Sequence, residues 1–453
     1  VADPASGRVV AVLSPSVLAR AVAEVAAEVE GAVAAGRRAD RTLSEVIRKH
    51  RELAPPDARF ASLATFALFR WRGWVEPLGA LSIEERLLLS VLLESESVPS
   101  EARVWARGAG RDPNALFALG DAPDWGARSE GFRRLVGGGR EIVADPWRLF
   151  PSWFREQLPP PPGRESPKVR NLALLWSLQT PAPLWVRVQG VEPEKVWNQL
   201  HEAGVKPWVH RKLLGSARLG REVDVYHLPP FTRGSLEIQD LAAQAVGLMC
   251  RPDPGERWWD VCAGAGGKSL HLASLMNGRG TIIATDTHEP RLKEAVRRAR
   301  RSPFRNIGVK PWDGKHVVGK AGRYDGVLVD APCSGIGTWR RNPEARWSLQ
   351  PDAIERLAET QGHILNVAAP GVRVGGCLVY SACTITPSET TRVIDRFLAA
   401  HPMFQLDPFP HPWTGETTDG RLQIWPQEAD SDAMFMARLV RTGGGPTRGA
   451  VKS

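Results

Sequence analysis

Apolar positions recur along this chain in two rhythms, and the rhythm changes before the middle. Over residues 1–150 they return every three to four positions, the spacing of one helical face. Val17, Leu18, Ala21, Val22, Val25 and Val29 form one such stripe, with Ser16 placed to cap its start. Phe60, Leu63, Ala64, Ala67 and Leu68 lead to Trp71 in a second, which follows Pro55-Pro56-Asp57. A third opens on Ser82-Ile83-Glu84-Glu85, where the Ser82 hydroxyl and the Glu85 carboxylate can satisfy reciprocal free amides as a capping box. These stripes predict a helical bundle. Between Gly108 and Gly139 glycines multiply and the periodic faces fade, so no element is predicted there.

Residues 151–182 read as a linker carrying a helix. Its prolines 159 to 162 cannot be helical and suit an extended brace. The rhythm then shortens. Pro183–Val188 reads as a strand, Glu192–Ala203 as a helix and Val223–Tyr226 as a second strand, which together predict a small α+β module over 183–232. From 233 to 442 short apolar runs alternate with helical stretches, as in a mostly parallel sheet. Candidate strands are Arg257–Val261, Thr281–Thr285, Asn306–Val309, Gly326–Val329 and Cys377–Tyr380. Leu422–Trp425 and Phe435–Val440 can add an antiparallel edge. The glycine-rich tail, 443–453, is expected to be disordered.

The chemistry gathers where these strands end. Gly326–Val329 runs into Asp330-Ala331-Pro332-Cys333-Ser334-Gly335, and Cys377–Tyr380 runs into Ser381-Ala382-Cys383-Thr384. Ligands of open α/β sheets bind at the carboxyl edge of the strands. Two thiols and an acid delivered to one edge suggest covalent chemistry. Cys383 also precedes Thr386-Pro387-Ser388-Glu389, which reads as the N-cap, first position and capping-box acid of a helix. A helix N-terminus favours a thiolate, which Glu389 would partly oppose. Cys250 and Cys377 read as buried packing residues.

The first strand of the sheet leads into Cys262-Ala263-Gly264-Ala265-Gly266-Gly267-Lys268-Ser269 and then a helix. Glycines there let backbone amides approach a ligand. A dinucleotide fingerprint would need glycine where Ser269 stands, and a phosphate loop would need it where Cys262 stands. Asp286, at the end of the second strand, can bind both hydroxyls of a ribose, and Asp313, after the third, can meet an adenine edge. A glycine loop with two acids and no phosphate signature suggests S-adenosylmethionine.

Composition narrows the setting. The 453 residues suffice for two or three domains, and no apolar run approaches the ~20 residues of a membrane span. The five cysteines show neither CxxC pairs nor a disulfide framework, so no metal is expected. With no secretory pattern at Val1-Ala2-Asp3-Pro4, the expected setting is a reducing cytoplasm. A net charge of +9 suits an anionic partner or simple solubility, and charge alone does not choose between them.

At these residues the chain resembles the Sun (RsmB/NOP) family of RNA cytosine-5 methyltransferases, and most closely its bacterial branch acting on small-subunit ribosomal RNA. The likeness runs from Phe150 to Arg441. It includes Pro151-Ser152-Trp153, Trp185-Val186-Arg187-Val188, Ile238-Gln239-Asp240, Cys262–Lys268, Asp330–Gly335, Gly337-Thr338-Trp339-Arg340-Arg341-Asn342-Pro343 and Tyr380–Pro387. The resemblance implies a Rossmann-like methyltransferase domain, an N-terminal helical domain like the factor NusB and a small RNA-recognition-like insert. It further implies that Cys262, Ala263, Gly264, Ala265, Gly266, Gly267 and Lys268 hold the methionine part of the cofactor, Asp286 and Arg291 its ribose side and Asp313 its adenine. Cys383 matches the nucleophile, Cys333 the residue that releases product, and Asp330 the acid that meets the base near N3. Arg340 and Arg341 follow closely enough to hold RNA phosphates, whereas the run Arg297–Arg301 reads as a solvated helix face. The insert shows no exposed aromatic pair in its pattern, so shape and phosphate contacts are expected of it.

Ala265, Ala382, Ser388 and Thr390 depart from the family's usual residues without removing a group the chemistry needs. The expected enzyme is a monomer acting on unstacked cytosine in small-subunit ribosomal RNA. The same chemistry on transfer RNA, or an RNA-binding assembly factor without catalysis, is the alternative.

Overall fold

Proline and serine fix where the first helix begins. Pro15, with its preset φ and no N–H to lose, opens the helix Pro15–Ala34, and the Ser14 hydroxyl accepts from Val17 N at 3.4 Å. The cap is therefore Ser14 rather than Ser16, and Val17 lies on the outer face, 45% exposed. The structure is a computed structural model, described for residues 13–94, 100–108, 125–136, 144–160 and 166–443.

The chain forms two units. The first takes residues up to Glu156, Pro161–Thr180 and the excursion Trp339–Leu349. Its described helices are Pro15–Ala34, Ala39–Lys49, Pro55–Val75, Ile83–Glu94, Ser100–Gly108, Trp125–Val136 and Pro167–Gln179. The helix Pro55–Val75 buries Phe60, Ala64, Ala67, Leu68 and Trp71 as its spacing predicts. The capping box forms, with Ser82 N donating to Glu85 Oε2 at 3.0 Å and Glu85 N to Ser82 Oγ at 3.2 Å. The segment 108–139, where no element was predicted, carries the last residue of one helix and the whole of another, Trp125–Val136; residues 109–124 and 137–143 lie outside the described residues, as do 161–165 of the proline-rich linker and 444–453 of the tail.

The second unit holds both sheets. The smaller comprises β1 (Leu184–Val188), β2 (Trp208–Val209), β3 (Ser216–Leu219) and β4 (Leu236–Ile238), antiparallel in the order β2-β3-β1-β4. One face, through Val186, Val188, Ala217 and Leu219, packs on Val196, Trp197 and Leu200 of the helix Pro193–Glu202. The strand expected at Val223–Tyr226 is instead a short 3-10 turn, Val225–His227, which Asp224 starts by accepting from Tyr226 N. A side chain that bonds its own backbone two residues on outweighs the β-branched run there. The fourth strand therefore comes at 236–238, past the boundary expected at 232.

The larger sheet comprises β5 (Arg257–Asp260), β6 (Thr281–Asp286), β7 (Ile307–Pro311), β8 (Tyr324–Asp330), β9 (Val372–Ala382), β10 (Phe404–Leu406), β11 (Arg421–Ile424) and β12 (Met434–Arg441). The order is β10-β12-β9-β8-β5-β6-β7, with β11 beside β12. From β9 to β7 every pairing is parallel, and β10, β11 and β12 add the antiparallel edge anticipated from the pattern. The chain winds outward one way through β5, β6 and β7, then restarts at β8 and winds the other way. The reversal between β5 and β8 is a topological switch point, where open α/β sheets bind ligands. Among the described residues no helix is long and apolar enough to cross a membrane.

Trp258 and Trp259 send their side chains into the cores on opposite faces of this sheet. Trp259 is fully buried, lies 5.6 Å from Tyr324 and 5.8 Å from Trp312 between ring centroids, and donates Nε1–H to Thr285 Oγ1 at 2.8 Å. Trp259→Ala should destabilise the sheet unit by about 3–5 kcal/mol, the usual loss for a large buried aromatic. A denaturant titration would read this as a lowered midpoint, and an unchanged midpoint would contradict the packing argument.

Candidate active site

The β5 strand ends at Asp260, and the loop behind it turns back through two left-handed glycines, Gly264 (φ 55°) and Gly266 (φ 81°), before the helix Gly267–Leu275. At Gly266 a side chain would be strained by φ and would press on Ala295 Cβ at 3.2 Å. The loop is pinned at the end of β6: Ala263 N donates to Thr285 O at 2.7 Å, and Gly264 N to Asp286 Oδ2 at 2.9 Å. Asp286 Oδ1 accepts from His288 N at 2.7 Å. Each carboxylate oxygen holds one donor and keeps a lone pair, the capacity a ribose diol needs.

Beneath the loop Asp260 is fully buried. Its Oδ2 accepts from Ser269 Oγ at 2.6 Å while Oδ1 has no partner. Burial pushes its pKa up to about 7 against the Ser269 hydrogen bond. Lys268 reaches across to Asp330 at the end of β8, Nζ to Oδ2 at 2.7 Å. Burial works against the lysine's charge, but the Asp330 carboxylate outweighs it and raises the Lys268 pKa. Asp260, Asp286 and Asp330 give this edge a negative field that suits a sulfonium, while the glycine loop and Lys268 offer donors to a carboxylate. The residues present fit S-adenosylmethionine.

Asp313 is less enclosed. Its side chain is 52% exposed and accepts from Lys315 N, His316 N and the His316 ring, which hold its pKa down at about 2. Arg291 is exposed on the helix Glu289–Arg301.

The two thiols meet. Cys333, three residues past β8, and Cys383, immediately past β9, stand with their sulfurs 3.1 Å apart. The strands behind them are parallel neighbours in a register that sets Asp330 opposite Ser381. Ser381 Oγ donates to Asp330 Oδ1 at 2.7 Å and Ala331 N to Ser381 O at 2.9 Å, so acid and thiols share one frame. The hydrogen bond to Cys383, together with burial, raises the Cys333 pKa well above that of a free thiol. All five cysteines are unbridged, and Cys250 and Cys377 are buried in packing as expected.

Three expectations change here. The capping box at Thr386 does not form: Pro387–Glu389 is a single 3-10 turn, Thr390 breaks it (φ −118°, ψ −100°), and the helix begins only at Thr391. No long helix dipole points at Cys383. Glu389 instead turns inward, fully buried, and takes five donors: Ser334 N (2.7 Å), Ser334 Oγ (2.5 Å), Gln361 Nε2 (3.1 Å), Thr384 Oγ1 (3.0 Å) and Thr386 Oγ1 (2.9 Å). It ties the Cys333 loop to the Cys383 loop, a role that the capping-box reading hid.

The arginine run is likewise not simply solvated. Arg298 and Arg301 grip the buried Glu237 of β4 at 2.8 and 2.6 Å, and Arg298 also donates to Ala265 O at 3.2 Å. Finally, Arg340 belongs to the helical unit, 3% exposed with its Nε donating to Thr180 O, so it is a packing residue, while Arg341 is exposed.

Comparison with known proteins follows this geometry. A family model described as 16S rRNA methyltransferase RsmB/F matches residues 247–440. The chain is 29% identical over 431 residues to the probable ribosomal RNA small subunit methyltransferase B of Synechocystis, covering 89% of this chain and 95% of that protein. It is 30% identical to ribosomal RNA small subunit methyltransferase B of Citrobacter koseri, covering 65% and 67%. The crystal structure of PH0851 superposes with a TM-score of 0.74 at 23% identity over 95% of this chain and 100% of that one, a likeness of fold.

Because Glu389 accepts from five donors, an amide in its place turns an NH2 toward groups that also donate. Glu389→Gln should cost about 1–3 kcal/mol and sharply lower catalytic turnover while leaving cofactor affinity intact. Denaturation and calorimetry beside a turnover assay would check this; wild-type stability and turnover would refute the ordering role.

Proposed function

The chain belongs to the 16S rRNA methyltransferase RsmB/F family, and from that premise we propose that it methylates carbon 5 of a cytosine in small-subunit ribosomal RNA through a covalent adduct on Cys383. It is an S-adenosylmethionine-dependent methyltransferase, and the cofactor supplies an electrophilic methyl group. The observation that carries the finer reading is the pair of sulfurs 3.1 Å apart beside Asp330.

Carbon 5 of cytosine is a poor nucleophile until the ring loses its aromaticity. In the proposed reaction Cys383 Sγ forms a bond to carbon 6, and the displaced electron pair makes carbon 5 nucleophilic. Asp330 meets the base near N3 and stabilises the charge that develops there. Once carbon 5 carries its methyl group, Cys333 takes the remaining hydrogen as a proton. The carbon–sulfur bond then breaks, its carbon 5–carbon 6 double bond returns, and Cys383 leaves as thiolate.

The raised pKa of Cys333 supports this division of labour. At rest Cys333, its pKa raised by the Cys383 hydrogen bond and by burial, is a neutral thiol 3.1 Å from the attacking sulfur and does not compete as nucleophile. Once Cys383 is bound to the base it no longer opposes a negative charge on Cys333, which gives its own proton to solvent and, as thiolate, takes the carbon 5 proton. Lys268 keeps Asp330 oriented, and the glycine loop with Asp286 holds the cofactor. The base must leave its stack to reach the thiols, so unpaired RNA is the expected target.

Cys383→Ala should abolish methylation yet bind S-adenosylmethionine as wild type does; calorimetry showing lost binding would undo the nucleophile assignment. Cys333→Ala should accumulate a protein–RNA adduct, seen as a retarded band on a denaturing gel, and normal turnover without adduct would exclude the release role. The substrate is tested by transfer of labelled methyl from S-adenosylmethionine to small-subunit ribosomal RNA, with transfer RNA in parallel and the modified nucleotide mapped. Label confined to transfer RNA would keep the chemistry and replace the substrate. No label in either RNA or in an assembling subunit would leave only a binding role.

A further inference from the structure

The face of the small sheet opposite the helix Pro193–Glu202 is not featureless. Register sets Arg218 of β3 opposite both Trp208 of β2 and Trp185 of β1, so these three side chains form one row across the sheet. Trp185 is buried, but Trp208, on the edge strand, remains 49% exposed. The Arg218 guanidinium lies over the Trp208 ring, 5.1 Å from its centroid, and is itself fixed by Asp430 at 2.7 Å. His210 joins the row with its ring edge-on to Trp208, Trp185 and Trp413 at 6.1–6.3 Å. Its Nδ1 accepts from Lys212 N and Leu213 N, so the ring is held in place. Lys206, just before β2, and Arg211 and Lys212, between β2 and β3, are exposed.

We propose that Trp208, with Arg218 and His210 holding its ring, is a stacking site for an unpaired RNA base flanking the target cytosine. The proposal rests on the RNA reading above and assigns that RNA a second point of attachment. An exposed indole braced by a guanidinium offers a π-face of fixed orientation, and surrounding lysine and arginine side chains suit the phosphates on either side. A protein partner would ask for a wider apolar patch. The exposed apolar surface here is one aromatic ring with Leu214 nearby in sequence, in a rim where Lys206, Arg211 and Lys212 outnumber Asp430.

The site is also linked to the chemistry. Trp185 Nε1 donates to Asp430 O at 2.8 Å, three residues before Ala433, whose N–H donates to Gly337 O at 3.0 Å; Gly337 N in turn donates to Cys383 O at 3.0 Å. Three residues span at most about 11 Å. The segment that carries Asp430 therefore runs from the aromatic row to the nucleophile loop, and one RNA strand can meet both.

The test measures binding of fluorescently labelled single-stranded RNA from the mapped target region, together with KM for RNA in methyl transfer. Trp208→Ala should weaken RNA binding about tenfold, within the range of one lost base stack, and raise KM for RNA in step. S-adenosylmethionine affinity and the salt dependence of RNA binding should not change, because no charge is removed. Trp208→Phe should keep most of the affinity, and Trp208→Leu, which keeps an apolar side chain but no π-face, should lose it and serves if the alanine variant folds poorly. RNA binding by Trp208→Ala or Trp208→Leu equal to wild type, in a protein that methylates RNA, overturns the stacking site alone. A wild-type protein that binds no RNA overturns both this site and the RNA reading.

Discussion

The pairing of β8 with β9 in parallel, with Asp330 opposite Ser381, fixes where every reactive group of the sheet unit stands. Side chains alternate faces along a strand, so a slip of one residue would turn Ser381 away from Asp330 and carry Cys383 off its present line toward Cys333. The register is held at its end by the Ser381–Asp330 hydrogen bond and behind it by buried Val327, Leu328, Leu378 and Val379. Hydrophobic burial thus supplies the energy and the polar pair supplies the alignment. The 3.1 Å between sulfurs is a consequence of both.

Beyond the strand ends the backbone leaves the sheet, and alignment must come from elsewhere. Glu389 provides it. A buried carboxylate is costly unless its lone pairs are filled, and here five donors from the two thiol loops and from Gln361 fill them. Gln361, Thr384 and Thr386 are buried and Ser334 half-buried, and although Gln361 Nε2 also reaches Pro332 O and Ser334 Oγ also meets Thr384 Oγ1, only the acid joins all of them. A site that must bring two sulfurs close without bridging them gains from such a shared acceptor, because neither loop can shift alone.

Much of this was legible in the sequence, and the parts that were not share a cause. Strand positions in the larger sheet, the cysteines at their ends, the glycine loop and Asp286 are local patterns: apolar runs, turn residues and spacing. Ser82–Glu85 was read correctly for the same reason, as a cap made within four residues. Thr386–Glu389 carries the same signature, yet Thr384, Ser334 and Gln361 compete for the acid from outside the turn and win. Glu237, Arg298 and Arg301 are likewise joined only by the fold, so a charged run that reads as solvated contains two residues with a buried partner. At Val223–Tyr226 the error was local: Asp224 makes a turn from residues whose propensity says strand. Misplacing that strand concealed the short one at Trp208–Val209, and with it the only aromatic of the row that faces outward.

The small sheet is more than an appendage to the larger one, because two polar chains tie it to the glycine loop. Glu237 of β4 is shared by Arg298 and Arg301, and Arg298 continues to Ala265 O in the glycine loop. Arg187 of β1 donates to Gln239 Oε1 at 2.7 Å, and Gln239 Nε2 reaches Gly267 O at 3.5 Å. Burial lowers the Arg187 pKa to about 9, against the pull of Glu237, so its charge is retained at neutral pH by a carboxylate that the arginines across from it also need. Buried charges of this kind add little net stability, and they exact a heavy cost if one partner is lost. What they do specify is position. Two carbonyls of the glycine loop, at Ala265 and Gly267, are held by side chains that the small sheet either supplies or anchors. An RNA strand resting on that sheet, as proposed, would thus meet a surface already locked to the loop proposed to hold the methyl donor.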